Sequence, residues 1–176
     1  HPTRGLTDLF GGQDDIKNRV IRTVGSADER FCEDALRMLR AYRFAARLGF
    51  DLHDDTRAAI VRHAGLMRFI SAERVRDELW RLLESPRPQM LSECLRNGLL
   101  TRYFPVVDIG LDELAGLTRG PVQRLTFMLY RIFEGDLVRA CEAAGRLHFD
   151  NATLLSVKSI FVLLQTGVLY NRADIK

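Results

Sequence analysis

The chain has 176 residues, 47% of them hydrophobic and 28% charged, with a formal net charge of +3 and a pI near 9.0. That is room for one domain or two small ones around a sizeable core, and a mild positive excess that permits a polyanionic partner without demanding one. No apolar run is long enough to span a bilayer, and the three scattered cysteines, Cys32, Cys94 and Cys141, suggest neither a disulfide framework nor a zinc site and suit a reducing, cytoplasmic compartment.

Residues 1–25 differ from the rest of the chain. Leu6 to Phe10 and Val20 to Val24 are short apolar or β-branched runs, each ended by glycine, with a single helical turn expected from Gln13 to Arg19. They read as the last strand or two of a mixed α/β domain. Two strands alone are marginal in water, so their missing neighbours, and a start at His1-Pro2, imply that a preceding domain belongs with them.

From Ser26 onward nearly everything reads helical. Ser26 can cap a short helix through Phe31. Arg30 to Phe50 then runs without Pro or Gly until Gly49, opening on Glu33 and Asp34 and carrying Arg37, Arg40, Arg43 and Arg47 among apolar residues. A helix apolar on nearly every side should be mostly buried, and burying part of an arginine row is costly unless something anionic meets it. Gly49 to His53 is a connector. Asp54 or Asp55 caps a helix ended by Gly65, and Ser71 caps the next, Ala72 to Glu84. Pro88 opens a helix through Asn97, followed by a short apolar run to Phe104 and a loop from 106 to 120. Three amphipathic helices follow, Pro121 to Phe133, Asp136 to Leu147 and Asn151 to Gln165, the last capped by Asp150 or Asn151. Trp80 and Phe69 are expected in the core. The fold class is therefore mainly α, an all-helical assembly after a short α/β remnant, divided as 1–25, 26–98 and 99–176.

In the first turn of the Arg30 to Phe50 helix, spacing of i, i+1 and i+4 puts Glu33, Asp34 and Arg37 on one face. An acceptor-only carboxylate then lies beside a donor-only guanidinium. Adenine and cytosine each present an exocyclic amine beside a ring-nitrogen acceptor, so Asp34 can accept from the amine while Arg37 donates to the ring nitrogen. Guanine and uracil present the reverse and would meet two repulsive mismatches, where one well-placed bidentate contact discriminates by ~1–3 kcal/mol. Glu33 can brace the guanidinium, and Arg40 can meet a phosphate or stack. Spacing alone does not separate this from a solvated helix face, where such pairs contribute ~0.2–0.5 kcal/mol.

The stretch Glu33-Asp-Ala-Leu-Arg37-Met-Leu-Arg40-Ala-Tyr-Arg43-Phe-Ala-Ala-Arg47-Leu-Gly-Phe50 closely resembles the nucleotide-selecting motif of the class II tRNA nucleotidyltransferase (CCA-adding enzyme) and bacterial poly(A) polymerase family, Glu-Asp-x-x-Arg followed by an arginine-rich helix. The resemblance implies that Asp34 and Arg37 template the incoming CTP or ATP, with Glu33 positioning the arginine. Asp8-Leu-Phe-Gly-Gly12-Gln-Asp-Asp15 resembles the family's Asp-x-x-x-Gly-x-x-Asp segment at the junction of head and neck, which implies a hinge at Asp8, Gly12 and Asp15. Ser71-Ala-Glu73-Arg74-Val-Arg-Asp-Glu78-Leu79 resembles the later neck motif, with Glu73 or Arg74 bracing the selecting helix.

The family's metal-binding Asp-x-Asp pair, its Gly-Gly-x-x-Arg-Asp segment and its Arg-Arg-Asp segment do not occur here. Asp14-Asp15 and Asp54-Asp55 read as helix starts. The resemblance thus implies the neck and body of a nucleotidyltransferase without its catalytic head, with no catalytic residue and no metal ligand in this chain. ATP and CTP are the expected substrates, Mg2+ belongs to the missing head, and the partners are that head and the 3′ end of a tRNA or other RNA. The isolated chain is expected to be inactive. A-only or poly(A) addition uses the same template residues and stays open. So do two readings of other classes, a non-catalytic helical module binding RNA or protein and a helical scaffold held by internal ion pairs.

Overall fold

The computed structural model describes residues 8–105, 108–117 and 120–166. Its elements in order are α1 (Gly12–Lys17), β1 (Val20–Ile21), α2 (Ala27–Glu33), α3 (Leu36–Leu48), β2 (Asp51–Leu52), α4 (Asp54–His63), a 3-10 run Ala64–Phe69, α5 (Ala72–Leu83), a 3-10 turn Pro88–Met90, α6 (Leu91–Arg96), a 3-10 run Asp112–Gly116, α7 (Pro121–Ile132), α8 (Leu137–Arg146) and α9 (Asn151–Gln165). The architecture is mainly helical, as its composition of strong helix formers and well-placed caps dictates.

The principal packing in the first half is α3 against α5 and α2 against α4. Phe31, Met38, Leu39, Tyr42, Ile60, Leu79, Leu82, Leu91 and Leu95 are fully enclosed there. The one polar tip in that cluster is satisfied, because Asn97 Nδ2 donates to the Tyr42 hydroxyl oxygen at 2.9 Å. In the second half α9 packs on α7 and α8, burying Leu125, Met128, Leu129, Ala140, Ala144, Val157 and Phe161. Arg124 ties the halves together. Its guanidinium donates to the carbonyls of Leu83 (2.6 Å), Ser85 (3.0 Å) and Leu117 (3.0 Å), and so closes carbonyls left open where α5 ends.

Several local expectations change. Leu9 and Phe10 are exposed and outside any strand; Leu6 lies outside the described residues. Val20 and Ile21 do form a strand, but their partner is the connector. β1 pairs in parallel with β2, Val20 opposite Asp51 and Ile21 opposite Leu52, and the Thr23 amide donates to Thr56 Oγ1 at 3.2 Å. The β-branched run thus finds its ladder across the α2–α3 crossover, as a parallel pair requires. The fourth helix is capped by His53, whose Nδ1 accepts from the Asp55 amide, so Asp54 and Asp55 lie in its first turn. It stops at His63 and continues as the 3-10 run through Gly65. Ser71 occupies the cap position of α5 without a hydroxyl bond to the helix, whereas Ser26, Asp136 and Asp150 each accept from an amide three residues on. Phe69, expected in the core, is 71% exposed with the Arg68 guanidinium 4.7 Å above its ring. Trp80 is half-buried and tilts against Phe149 at 5.8 Å.

Candidate nucleotide-selecting site

The stretch expected as one continuous helix is two. α2 ends at Glu33, and Asp34 takes an extended conformation (φ −152°, ψ 103°) before α3 begins. The chemistry of aspartate accounts for the break. Asp34 Oδ1 accepts from the Leu36 amide at 3.1 Å, and its carbonyl accepts from the Arg37 amide at 3.1 Å. A short acceptor that satisfies the first amides of the next helix competes with continuing the previous one. Glu33, Asp34 and Arg37 therefore do not share one helical turn. They converge across a kink.

At that kink Arg37 Nη1 donates to Glu33 Oε2 at 2.7 Å, and Arg30 Nη1 grips the same carboxylate at 2.9 and 3.0 Å. These two guanidiniums, Arg30 first, hold the Glu33 carboxyl below the ordinary glutamate range. Asp34 Oδ2 accepts from Arg74 Nη2 of α5 at 2.8 Å. Asp34 and Arg37 are thus each held by a third group and not by one another. Each keeps capacity. Arg37 retains four of its five N–H donors, and the two Asp34 oxygens retain lone pairs. Both side chains reach solvent, 29% and 41% exposed.

Behind this edge lies a buried ion cluster. Glu78 of α5 and Arg43 of α3 are only 4% and 5% exposed. Arg43 Nε sits 2.6 Å from Glu78 Oε2, yet its N–H is not aimed at that oxygen, so both atoms lack a hydrogen bond despite their burial. Burial pushes the Arg43 guanidinium below its ordinary value, and the Glu78 charge opposes that shift. Arg40 Nη1 stands 3.5 Å from Glu78 Oε1, and both Arg40 and Arg43 lie over the Phe44 ring, at 5.8 and 4.1 Å. Arg40 therefore leans towards Glu78 while remaining 45% exposed.

The other expected residues fall elsewhere. Glu73 does not reach α3; its Oε1 lies 2.6 Å from His148 Nδ1 at the approach to α9. Asp8 accepts from the amides of Phe10, Gly12 and Gln13 at 3.2, 2.9 and 2.7 Å. The Gln13 and Gly12 bonds, in that order, hold its carboxyl below the usual range. Gly11 takes a left-handed conformation (φ 73°) that lets the chain fold back over Asp8. Asp15 pairs with Arg22 at 3.1 Å. Sequence reasoning placed Glu78 in the neck motif without giving it a role, and missed Arg124. Glu78 carried a signal, an acid within a run of inward positions on α5; Arg124 carried none.

The adjacent acids do not fit a magnesium centre. Asp15 is bonded to Arg22, and Asp54 and Asp55 begin α4. Among the described residues no three of His, Cys, Asp and Glu are grouped to hold a metal ion. No described helix is long and apolar enough to cross a membrane.

Comparison with known proteins gives concordant relatives. Residues 49–110 match a family model described as the probable RNA and SrmB-binding site of polymerase A. A CCA-adding enzyme of Geobacillus kaustophilus is 57% identical over 100 residues, covering 57% of this chain and 25% of that protein. One from Geobacillus sp. is 40% identical over 153 residues, covering 81% of this chain and 38% of that protein. The chain thus spans about a quarter to two fifths of these relatives' length. In three dimensions it is similar to the Bacillus stearothermophilus CCA-adding enzyme solved in complex with CTP, with a TM-score of 0.77 and 31% identity over 91% of this chain and 42% of that one. With a match in fold over 91% of its length and 40% identity over 153 residues to one relative, this chain belongs to the CCA-adding enzyme family, as part of its neck and body.

Proposed function

We propose that the chain selects the base of an incoming CTP or ATP at Asp34 and Arg37 and holds the 3′ end of a tRNA, as part of a longer nucleotidyltransferase. The observation that carries this reading is the separate anchoring of the two residues, Asp34 by Arg74 and Arg37 by Glu33. Had they paired with each other, acceptor and donor would quench one another. Held apart, they present a carboxylate beside a guanidinium, which matches the amine and ring nitrogen of adenine or cytosine and opposes the edge of guanine or uracil. Preorganisation by Glu33 and Arg74 reduces the ordering cost of binding. The relative solved with CTP and the match to an RNA-binding family model support the choice of ligands.

The chemistry of phosphoryl transfer lies outside these residues. Asp34, Arg37, Glu33 and Arg74 bind and orient; none is placed as a metal ligand or a base. Mg2+ supplies charge neutralisation to this reaction class, and the sequence lacks the Asp-x-Asp pair that binds it in the family. The isolated chain is therefore expected not to extend RNA.

The test is primer extension by the intact enzyme on a tRNA lacking its terminal nucleotides, with each of the four triphosphates offered singly. Addition of C and A but not G or U is expected, and Asp34→Ala should lower C and A addition with the fold retained. Addition of A alone would favour an A-adding or poly(A)-adding enzyme. Unchanged selectivity in Asp34→Ala, with a large loss of stability, would favour a scaffold role for the ion pairs.

A further inference from the structure

A cleft of about 340 Å³ lies between the segment after α6 and helix α8, lined by Thr101 to Pro105, Phe133, Arg139, Glu142 and Arg146. Three guanidiniums face one carboxylate there. Backbone carbonyls and a ring, not carboxylates, hold them. Arg102 Nη1 donates to the carbonyls of Arg68 (3.2 Å) and Ile70 (3.1 Å). Arg146 Nη2 donates to the Tyr103 carbonyl at 3.0 Å. Arg139 stands 5.4 Å from the centre of the Phe133 ring. None of the three is at ion-pair distance from a carboxylate among the described residues, Glu142 included, although most other described arginines are.

Carbonyls and a ring fix a guanidinium without neutralising it. Arg102 and Arg146 each anchor one nitrogen and leave the remaining donors free, and Arg139 is held by its face and not its edge. The result is a concave, preorganised and uncompensated positive site that suits a group with several anionic oxygens. A second cleft, of about 580 Å³ beside Trp80, lacks this imbalance, because Asp77, Glu84 and Asp150 offset Arg76 and Arg81.

We propose that Arg102, Arg139 and Arg146 form a docking site for a backbone phosphodiester of the RNA substrate, read without regard to base sequence. This rests on the RNA-holding half of the function proposed above and assigns it a place. Contacts to phosphate position a nucleic acid and make its affinity salt-dependent.

The experiment measures binding of a tRNA transcript lacking its terminal nucleotides to the 176-residue chain across a salt series, with ATP and CTP titrated in parallel. The chains compared are the unsubstituted one, R139Q, R146Q and R139Q/R146Q. Arg139 and Arg146 are exposed, so helicity by circular dichroism should be unchanged, and R139Q alone disturbs no carbonyl contact. Each single substitution should weaken RNA binding several-fold and flatten the slope of log K against log salt by about one, equally for transcripts of different sequence. Nucleotide binding should stay the same. An unchanged slope in R139Q/R146Q with intact RNA binding overturns the site while leaving the selecting function untouched. An equal loss for ATP or CTP places a free triphosphate in the cleft and overturns the RNA assignment. No RNA binding by the unsubstituted chain sinks both the RNA-holding function and the site.

Discussion

Along α3, Arg37, Arg40 and Arg43 each face a carboxylate from α2 or α5, whereas Arg102, Arg139 and Arg146 face carbonyls and an aromatic ring. Both groups looked alike as residue types, and α3 is the denser. The difference lies in what their charge has already met. On α3 the arginine row is largely neutralised and sets shape: Arg37 braces Glu33 beside the kink, and Arg40 and Arg43 clasp α3 to α5 through Glu78. Around the cleft the charge is held in place and left over. Arginine density along a helix therefore locates a scaffold as readily as a site, and the partner's chemistry separates the two only together with exposure: Arg124 is held by carbonyls too, but it is part-buried and ties elements together, whereas Arg102, Arg139 and Arg146 are exposed.

Three single substitutions, one double substitution and one titration probe that contrast. The largest effect is expected for Glu78→Ala, which leaves the buried Arg43 guanidinium without its counter-charge. Removal of one member of a buried pair costs about 3–5 kcal/mol, read as a fall in the urea midpoint. The double substitution Arg43→Met with Glu78→Leu should recover much of that loss, since an apolar pair of similar volume carries no desolvation cost. If it is as unstable as the single variant, the pair is not what joins α3 to α5. Next comes Arg124→Ala, which strips three carbonyls of their donor and should cost about 1–3 kcal/mol. Arg139→Gln should change stability by less than about 0.5 kcal/mol, because its charge supports nothing in the fold. A larger loss would move it into the scaffold class.

The smallest effect concerns pH. The Glu33 carboxyl is held below its ordinary range by Arg30 and Arg37. A depressed carboxyl contributes stability that is present above the unfolded pKa, about 4.3, and lost as pH falls through the folded value. Base selectivity should therefore be flat from about pH 6 to 8 and weaken only in acid. A selectivity step near neutrality would mean that Glu33 does not hold Arg37.

Much of this was legible in sequence. Glycine, proline and capping residues marked the long helices because these signals act locally. The kink at Asp34 was not, because good helix formers surround it and only the competing bond to the Leu36 amide breaks the helix. The partner of β1 was hidden for a different reason: Asp51 and Leu52 have no strand character, and they pair because α2 and α3 bring them alongside. Glu33, Asp34, Arg37 and Arg40 are singled out by their resemblance to a family motif and not by spacing alone, while Arg74 reaching Asp34 and Glu78 reaching Arg43 depend on how α5 docks. Of the cleft arginines, Arg139 and Arg146 lie two turns apart on α8, but Arg102 joins them only once α8 packs beside the segment after α6.

The claim that Asp34 and Arg37 read a base edge is tested most directly by the ratio of kcat/KM for CTP over UTP in the intact enzyme, before and after Arg37→Ala. Cytosine and uracil differ at the two groups these residues would face. Loss of the guanidinium should reduce that ratio by about 5- to 150-fold, the equivalent of ~1–3 kcal/mol, with KM for RNA unchanged. A ratio that stays constant while both rates fall together would contradict base reading and leave Arg37 a structural member of the kink.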